Sequence, residues 1–235
     1  MKNTVKNMMI KKIQEDLKKE ADSSKIAVYS NFFKTNKGSY GEGDIFIGVS
    51  VPETRKIAKK YIDADLKIVE KLLESRIHEE RLLAVLILVE KFKSNENKEV
   101  VKFYIKNNKK INNWDLVDLS ADKILGKYYF DKDKSHLYKL AKSNNLWQRR
   151  ISIISTFYFI KNNQFKDTLK ISEILLNDKH DLIHKAVGWM LREVGKRNQK
   201  VLDEFLGKNY KNMPRTMLRY AIEKFPEDKR VKFLK

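Results

Sequence analysis

The chain has no cysteine, three prolines, eight glycines and four histidines in 235 residues. Without thiols there is no disulfide framework, no thiol nucleophile and no thiolate metal site, and four scattered histidines offer no zinc-ligand spacing. With so little proline and glycine, and no tract of either, nothing reads as a linker, so residues 1–235 are expected to form a single domain. No apolar run approaches the roughly 18 residues of a membrane span, which predicts a soluble protein with no membrane partner. The segment from Met1 to Ile10 mixes charged and apolar residues, and Lys11-Lys12 follows before a signal-peptide core can develop; cytoplasmic residence is the expectation. A metal or redox cofactor is not expected.

What the chain does have is positive charge. Lys and Arg total 50 against 31 acids, a net charge of +19. Such an excess draws a protein towards nucleic acid or an anionic membrane surface. A nucleotide-skewed genome favours Lys, Asn and Ile, and clusters such as Lys106, Lys109 and Lys110 read as a solvated face, but that bias does not explain the excess over Asp and Glu. Arginine is the sharper signal because it is scarce. Seven of the ten, Arg149, Arg150, Arg192, Arg197, Arg215, Arg219 and Arg230, lie in the C-terminal part. Where lysine is otherwise used, an arginine needs its planar fork for phosphate or carboxylate.

Apolar spacing is helical almost throughout, as in Leu82, Leu83, Leu86, Val89 and Phe92, or Ile151, Ile154, Phe157, Tyr158 and Ile160. About a dozen helices are expected. Their breaks fall at the N-cap cluster Asp22-Ser23-Ser24, before Pro52, and at Ser94-Asn95, Asn144-Asn145, Asn177-Asp178 and Asn212. Segments opening at His78, Trp114, Trp147 and Ile183 lie 36, 33 and 36 residues apart, and each starts a helix preceded by another. A period in the thirties built from helix pairs is the mark of an all-α solenoid of HEAT-like repeats, with a plain helical bundle as the alternative. Such a stack would line a concave basic groove with its second helices and bring Trp114, Asp118 and Arg150 together there.

Positions four apart share a helix face, so Trp114 and Asp118 present an aromatic plate beside a carboxylate. A carboxylate repels phosphate. Its presence in a basic cleft points to a cation, or to a centre that becomes cationic, held at that place. Taken alone, Asp118 is more simply a solvated acid or the partner of a lysine, and Trp114, Trp147 and Trp189 are core residues at helical spacing. Trp147 is assigned to the core. Arg149 and Arg150 cannot both face inward, because adjacent helical residues diverge by about 100°.

Trp114-Asp115-Leu116-Val117-Asp118, Asn145-Leu146-Trp147-Gln148-Arg149-Arg150 and Lys185-Ala186-Val187-Gly188-Trp189-Met190-Leu191-Arg192-Glu193 together resemble the signature segments of the bacterial AlkD-type DNA alkylation repair proteins, which are HEAT-like-repeat DNA glycosylases. The resemblance runs over nearly the whole chain, and the Gly-Trp-x-Leu-Arg-Glu core is its most distinctive part. It implies hydrolysis of the bond joining deoxyribose to a cationic alkylated purine of the 3-methyladenine or 7-methylguanine type. The lesion would stay stacked in the duplex and an abasic site would remain, an unusual mode for glycosylases. It implies that Asp118 is the catalytic carboxylate, that Trp114 and Trp189 pack against sugar and backbone, and that Arg150 holds the adjacent phosphate, with Arg149 in reserve. Arg192 and Lys185 are further DNA-binding candidates, although Arg192 and Glu193 can also pair within the fold.

The chemistry agrees with that assignment. A cationic purine leaves as a neutral base and needs no general acid, whereas the deoxyribose becomes an oxocarbenium ion that a fixed carboxylate stabilises and that indole faces attract. Beside Asp118, Arg150 would favour the ionised carboxylate. The partner is double-stranded DNA containing alkylated purines, bound by a monomer. Alternatives are a non-catalytic nucleic-acid-binding solenoid and a protein-interaction scaffold. The glycine-rich stretch 34–50 lacks a nucleotide-binding pattern and departs from the compact form of the family; it is expected to close one end of the cleft, with Tyr29 or Tyr40 facing DNA.

Overall fold

The computed structural model describes residues 2–234. Among them are fifteen α-helices and no β-strand; the sole extended pairing is an isolated parallel bridge between Ile45 and Ile77. The all-α expectation therefore holds. The chain divides into two compact units, one up to Ser120 and one from Ala121.

The first unit contains α1 (Lys2–Lys19), α2 (Ser23–Phe32), α3 (Val51–Lys60), α4 (Leu66–Leu73), α5 (His78–Asn95), α6 (Lys98–Asn107) and α7 (Trp114–Asp118). Helix α5 is its axis. Every residue from His78 to Val89 is buried, and a helix apolar on nearly all sides must be covered on all of them. Helices α3, α4, α6 and α7 supply that cover. The break expected at Ser94-Asn95 is present: Asn95 is the last residue of α5, Glu96 takes the left-handed conformation (φ 50°), and the Asn97 side chain caps α6. The other expected signals act where they stand: Asp22 caps α2, and Pro52 sits in the first turn of α3 behind the cap Ser50.

In the second unit a π-helical turn (Asp122–Gly126) runs into α8 (Lys127–Tyr129), followed by α9 (Ser135–Ala141), α10 (Leu146–Lys161), α11 (Lys166–Ile174), α12 (Asp181–Arg197), α13 (Gln199–Asn209), α14 (Arg215–Ala221) and α15 (Glu227–Leu234). Helix α10 buries Ile151, Ile153, Ile154, Phe159 and Ile160 against α9, α11, α12 and the π turn. Trp147 lies in this core. The four repeat segments open α5, α7, α10 and α12, and side chains cap the last three: Asn113 accepts from the Trp114 amide, Asn145 from those of Trp147 and Gln148, and His180 from that of Leu182. Each cap satisfies a donor the helix cannot satisfy itself.

The loop between α2 and α3 is attached through its backbone. Buried Glu79 receives the amides of Ile47, Gly48 and Val49 at 3.0, 2.8 and 3.3 Å on one carboxylate oxygen. Gly48 has φ +86°, and a Cβ there would lie 2.0 Å from the Asp22 carbonyl oxygen, so the turn needs glycine.

Two outcomes follow from this packing. A Cβ on Gly188 would lie 2.5 Å from the Met217 carbonyl oxygen and 2.5 Å from the Tyr220 Cβ, where α12 meets α14. Gly188→Ala is expected to cost about 1–3 kcal/mol in chemical denaturation, the scale of overpacking. Glu79→Gln removes the charge from the loop cradle, and the amides of residues 47–49 are expected to exchange about tenfold faster, with those of α10 unchanged, because charge-assisted bonds are about twice as strong as neutral ones.

Candidate active site

Helix α7 has five residues and carries Trp114 at its first position and Asp118 at its last. Both line one open cavity of about 340 Å³ in the first unit, whose other walls are largely aromatic and aliphatic: Tyr29, Phe32 and Phe33 from α2 and its end, Phe46 and Val49 from the glycine-rich loop, and Leu82 from α5. Asp118 is partly exposed to solvent. The carboxylate thus has an apolar surround and an open side, where its charge is only partly screened.

The indole is held from several directions. Phe33 stacks on it with ring centroids 5.0 Å apart and planes 15° from parallel; Phe32 meets it edge-on at 5.5 Å. The indole Nε1–H donates to the Tyr40 hydroxyl at 3.3 Å, so this loop tyrosine touches the tryptophan directly, while Tyr29 stands in the cavity wall. Beneath the aromatic layer lies a charged one. His78, with 1% of its surface exposed, has Nε2 at 2.7 Å from Asp115 and Nδ1 at 3.2 Å from Asp44. Arg81 pairs with the other Asp44 oxygen at 2.7 Å, and the Asn113 amide donates to Asp44 at 3.3 Å. Burial pushes the His78 pKa down, but the Asp115 charge and the hydrogen bonds to Asp115 and Asp44 outweigh it and raise the value to about 9. Burial likewise pushes Asp44 up, and His78 and Arg81 more than reverse this, leaving its carboxyl below the usual range.

His78, Asp44, Asp115, Phe33 and Phe46 were not among the sequence candidates. One signal was present: His78-Glu79-Glu80-Arg81, four polar residues heading a strongly apolar helix, all of which are buried.

The remaining candidates belong to the second unit. Arg149 forms an ion pair with Asp178 and donates to the Ser143 carbonyl at 3.0 Å. Arg150 is buried and donates to the Leu182 carbonyl. These neighbours therefore both brace the entry to α12, Arg149 through the preceding turn and Arg150 through the first turn itself. Trp189, half-buried on α12, packs against Phe157 of α10 at 5.6 Å. Arg192 pairs with Glu223 and has its Nε 3.9 Å from Glu193, so it is engaged within the fold; Lys185 pairs with Asp181 at 2.6 Å. Among the described residues no group of three His, Asp or Glu side chains could hold a metal ion, and no helix is long and apolar enough to cross a membrane.

In comparisons with known proteins, the family model described as DNA alkylation repair enzyme matches residues 13–225. No curated protein matches the chain. Among solved structures, a protein described as a predicted DNA alkylation repair enzyme from Enterococcus faecalis superposes with a TM-score of 0.70 at 18% identity, covering 88% of this chain and 98% of that one. AlkD2 from Streptococcus mutans gives 0.60 at 21% identity, covering 77% and 92%, and smu.31 from Streptococcus mutans UA159 gives 0.57 at 22%, covering 75% and 93%. At these identities the likeness is one of fold, and it agrees with the all-helical architecture described above. The family model, by contrast, reads the sequence itself and spans both units, from α1 to the residues after α14, so the chain belongs to the DNA alkylation repair enzyme family.

Proposed function

We propose that this family member is a monofunctional DNA glycosylase that hydrolyses the bond between deoxyribose and a cationic alkylated purine in duplex DNA, leaving an abasic site while the base remains in the stack. One observation carries the reading: Asp118 and Trp114, one helical turn apart on α7, face the same aromatic-walled cavity. In a protein of net charge +19, a partly exposed carboxylate in such a wall is poorly suited to phosphate and well suited to a sugar that acquires positive charge.

The reaction needs little else. The purine is already cationic, so bond cleavage neutralises it and no proton donor is required. As the bond lengthens, positive charge moves onto C1′ and the ring oxygen of the sugar; Asp118 stabilises that charge and aligns the water that attacks. The Trp114 face adds attraction for the same cation. DNA contacts are assigned to Trp189 and Arg150, as the sequence resemblance implies, with Arg149 in reserve, Arg192 and Lys185 as further candidates, and Tyr29 or Tyr40 from the loop side. Arg150 would reach phosphate from a guanidinium already anchored on Leu182. The helix starts at His78, Trp114, Leu146 and Asp181 support the HEAT-like repeat as the frame that presents these residues.

The test is incubation with methylated duplex DNA followed by alkali, which breaks strands at abasic sites. Breakage is expected; binding without breakage supports a non-catalytic DNA-binding member instead. Asp118→Asn is expected to cut excision by about a hundredfold or more while leaving DNA affinity nearly unchanged, the scale of losing one preorganised electrostatic stabiliser. Neutralising about six phosphates makes affinity fall by about a thousandfold between about 50 and 200 mM salt, as measured by fluorescence anisotropy on undamaged duplex; a flat response overturns the DNA-binding surface.

A further inference from the structure

The charged layer beneath the cavity does more than fill space. A five-residue helix is too short to hold its own direction, since one turn fixes several dihedrals for few hydrogen bonds. What orients α7 must come from outside it, and the contacts converge on His78. Through Nε2 the imidazole meets Asp115, the residue after Trp114 and three before Asp118. The other Asp115 oxygen accepts the Leu116 amide at 2.8 Å, so the carboxylate is fixed to the helix that it steers. Through Nδ1 the imidazole meets Asp44, which also receives the Asn113 amide; the Asn113 oxygen in turn caps the Trp114 amide at 2.8 Å. The ring itself lies 4.8 Å from Phe33, whose centroid is 5.0 Å from that of Trp114. Three separate routes, two polar and one aromatic, thus lead from one side chain to the residues of the proposed chemistry.

Both ring nitrogens face a carboxylate. A neutral imidazole has one N–H and would turn a lone pair towards the second carboxylate; the imidazolium donates to both. Its surroundings favour that form. Asp115 faces it from α7, Asp44 from the loop and Arg81 from its own helix, which makes two buried carboxylates against two cations. Glu79, the next residue, turns instead to the loop amides.

We propose that His78, as an imidazolium, is a positioning residue for excision: without touching DNA it sets Trp114 and Asp118 through Asp115, Asn113 and Phe33. The proposal rests on the glycosylase reading for its activity readout, but the positioning itself is measurable without it. The sign of the pH effect follows from the raised pKa. Protonated His78 stabilises the folded arrangement fully below about 6.5, its ordinary value, and this contribution is lost as pH rises through about 9.

The experiment uses the full chain and two variants. Nitrogen NMR of the imidazole follows the protonation of His78, and the Trp114 indole N–H, held on Tyr40, reports the orientation of α7. Single-turnover excision of 7-methylguanine from duplex DNA, corrected for enzyme-free loss, is measured across the same pH range. In the wild-type protein the indole signal and the excision rate are expected to change together with the imidazole, near pH 9. Asp115→Asn removes one charge and should move all three midpoints to lower pH. His78→Phe keeps a ring for Phe33 to stack on and removes both donors; near neutral pH it should slow excision by about tenfold to a hundredfold, the cost of a small misplacement of catalytic groups, with DNA affinity within about twofold and the circular dichroism spectrum unchanged.

An excision rate that His78→Phe leaves unaltered overturns the proposal, as does a parallel loss of rate, affinity and thermal stability, which marks a purely structural residue. If the wild-type protein does not excise, the glycosylase reading falls and the NMR decides: an indole signal that tracks the imidazole titration upholds positioning by His78, and one indifferent to it overturns it.

Discussion

A carboxylate is useful to a developing cation only if its position is fixed before the cation forms, and Asp118, for which that role is proposed, stands on a helix of five residues. That constraint organises the first unit. Asn113 caps the helix, Asp115 ties it to α5, Phe33 and Phe32 press on its tryptophan, and the glycine-rich loop contributes Asp44, Tyr40 and Phe46. The long, almost wholly buried α5 bears the other end of these contacts. A rigid element anchored in the core thus lends its rigidity to a short one at the surface of a cavity, which is how a fold places a reactive group to within a fraction of an ångström.

The treatment of charge differs between surface and interior. The net positive charge resides largely in lysines, whose ammonium groups stay hydrated at the ends of flexible stems. Inside, two sets of charges are matched, His78 and Arg81 with Asp44 and Asp115, and Asp122 with Lys123 and Lys161 at its rim, whereas buried Glu79 is met by backbone amides. Such sets are weak contributors to net stability, because desolvation offsets much of the attraction, but they penalise any arrangement that separates the partners. Their value lies in specifying geometry. Several of the scarce arginines serve the same end: Arg81, Arg149 and Arg192 turn their forks to Asp44, Asp178 and Glu223, and Arg150 to the Leu182 carbonyl.

Much of the fold was legible because helical signals are local. Apolar spacing located the cores of α5 and α10, Asp22 and Asn145 stood as caps where polar residues meet apolar runs, and the pairing of Trp114 with Asp118 followed from one turn of helix. What escaped was non-local. The bonds from Asp44 to His78 and Asn113 join residues 34 and 69 positions apart, and that from His78 to Asp115 spans 37. No period or motif encodes such partners. For the arginines, the carboxylates that Arg149 and Arg192 meet lie in the turn before α12 and the turn after α14, which only the folded chain brings near, and Arg150 meets a backbone carbonyl that no side-chain pattern announces.

The backbone attachment of the loop at Glu79 has an evolutionary corollary. Because the carboxylate grips main-chain amides, the side chains of Ile47 and Val49 take no part in the grip; buried Val49 is limited to residues that refill its space, half-buried Ile47 is open to wider replacement by residues that retain the N–H, and Gly48 is pinned by its dihedral and by Asp22. Apolar replacements at Val49 in the cavity wall can therefore accumulate among descendants of this chain while the loop keeps its path, reshaping the cavity without the scaffold being rebuilt.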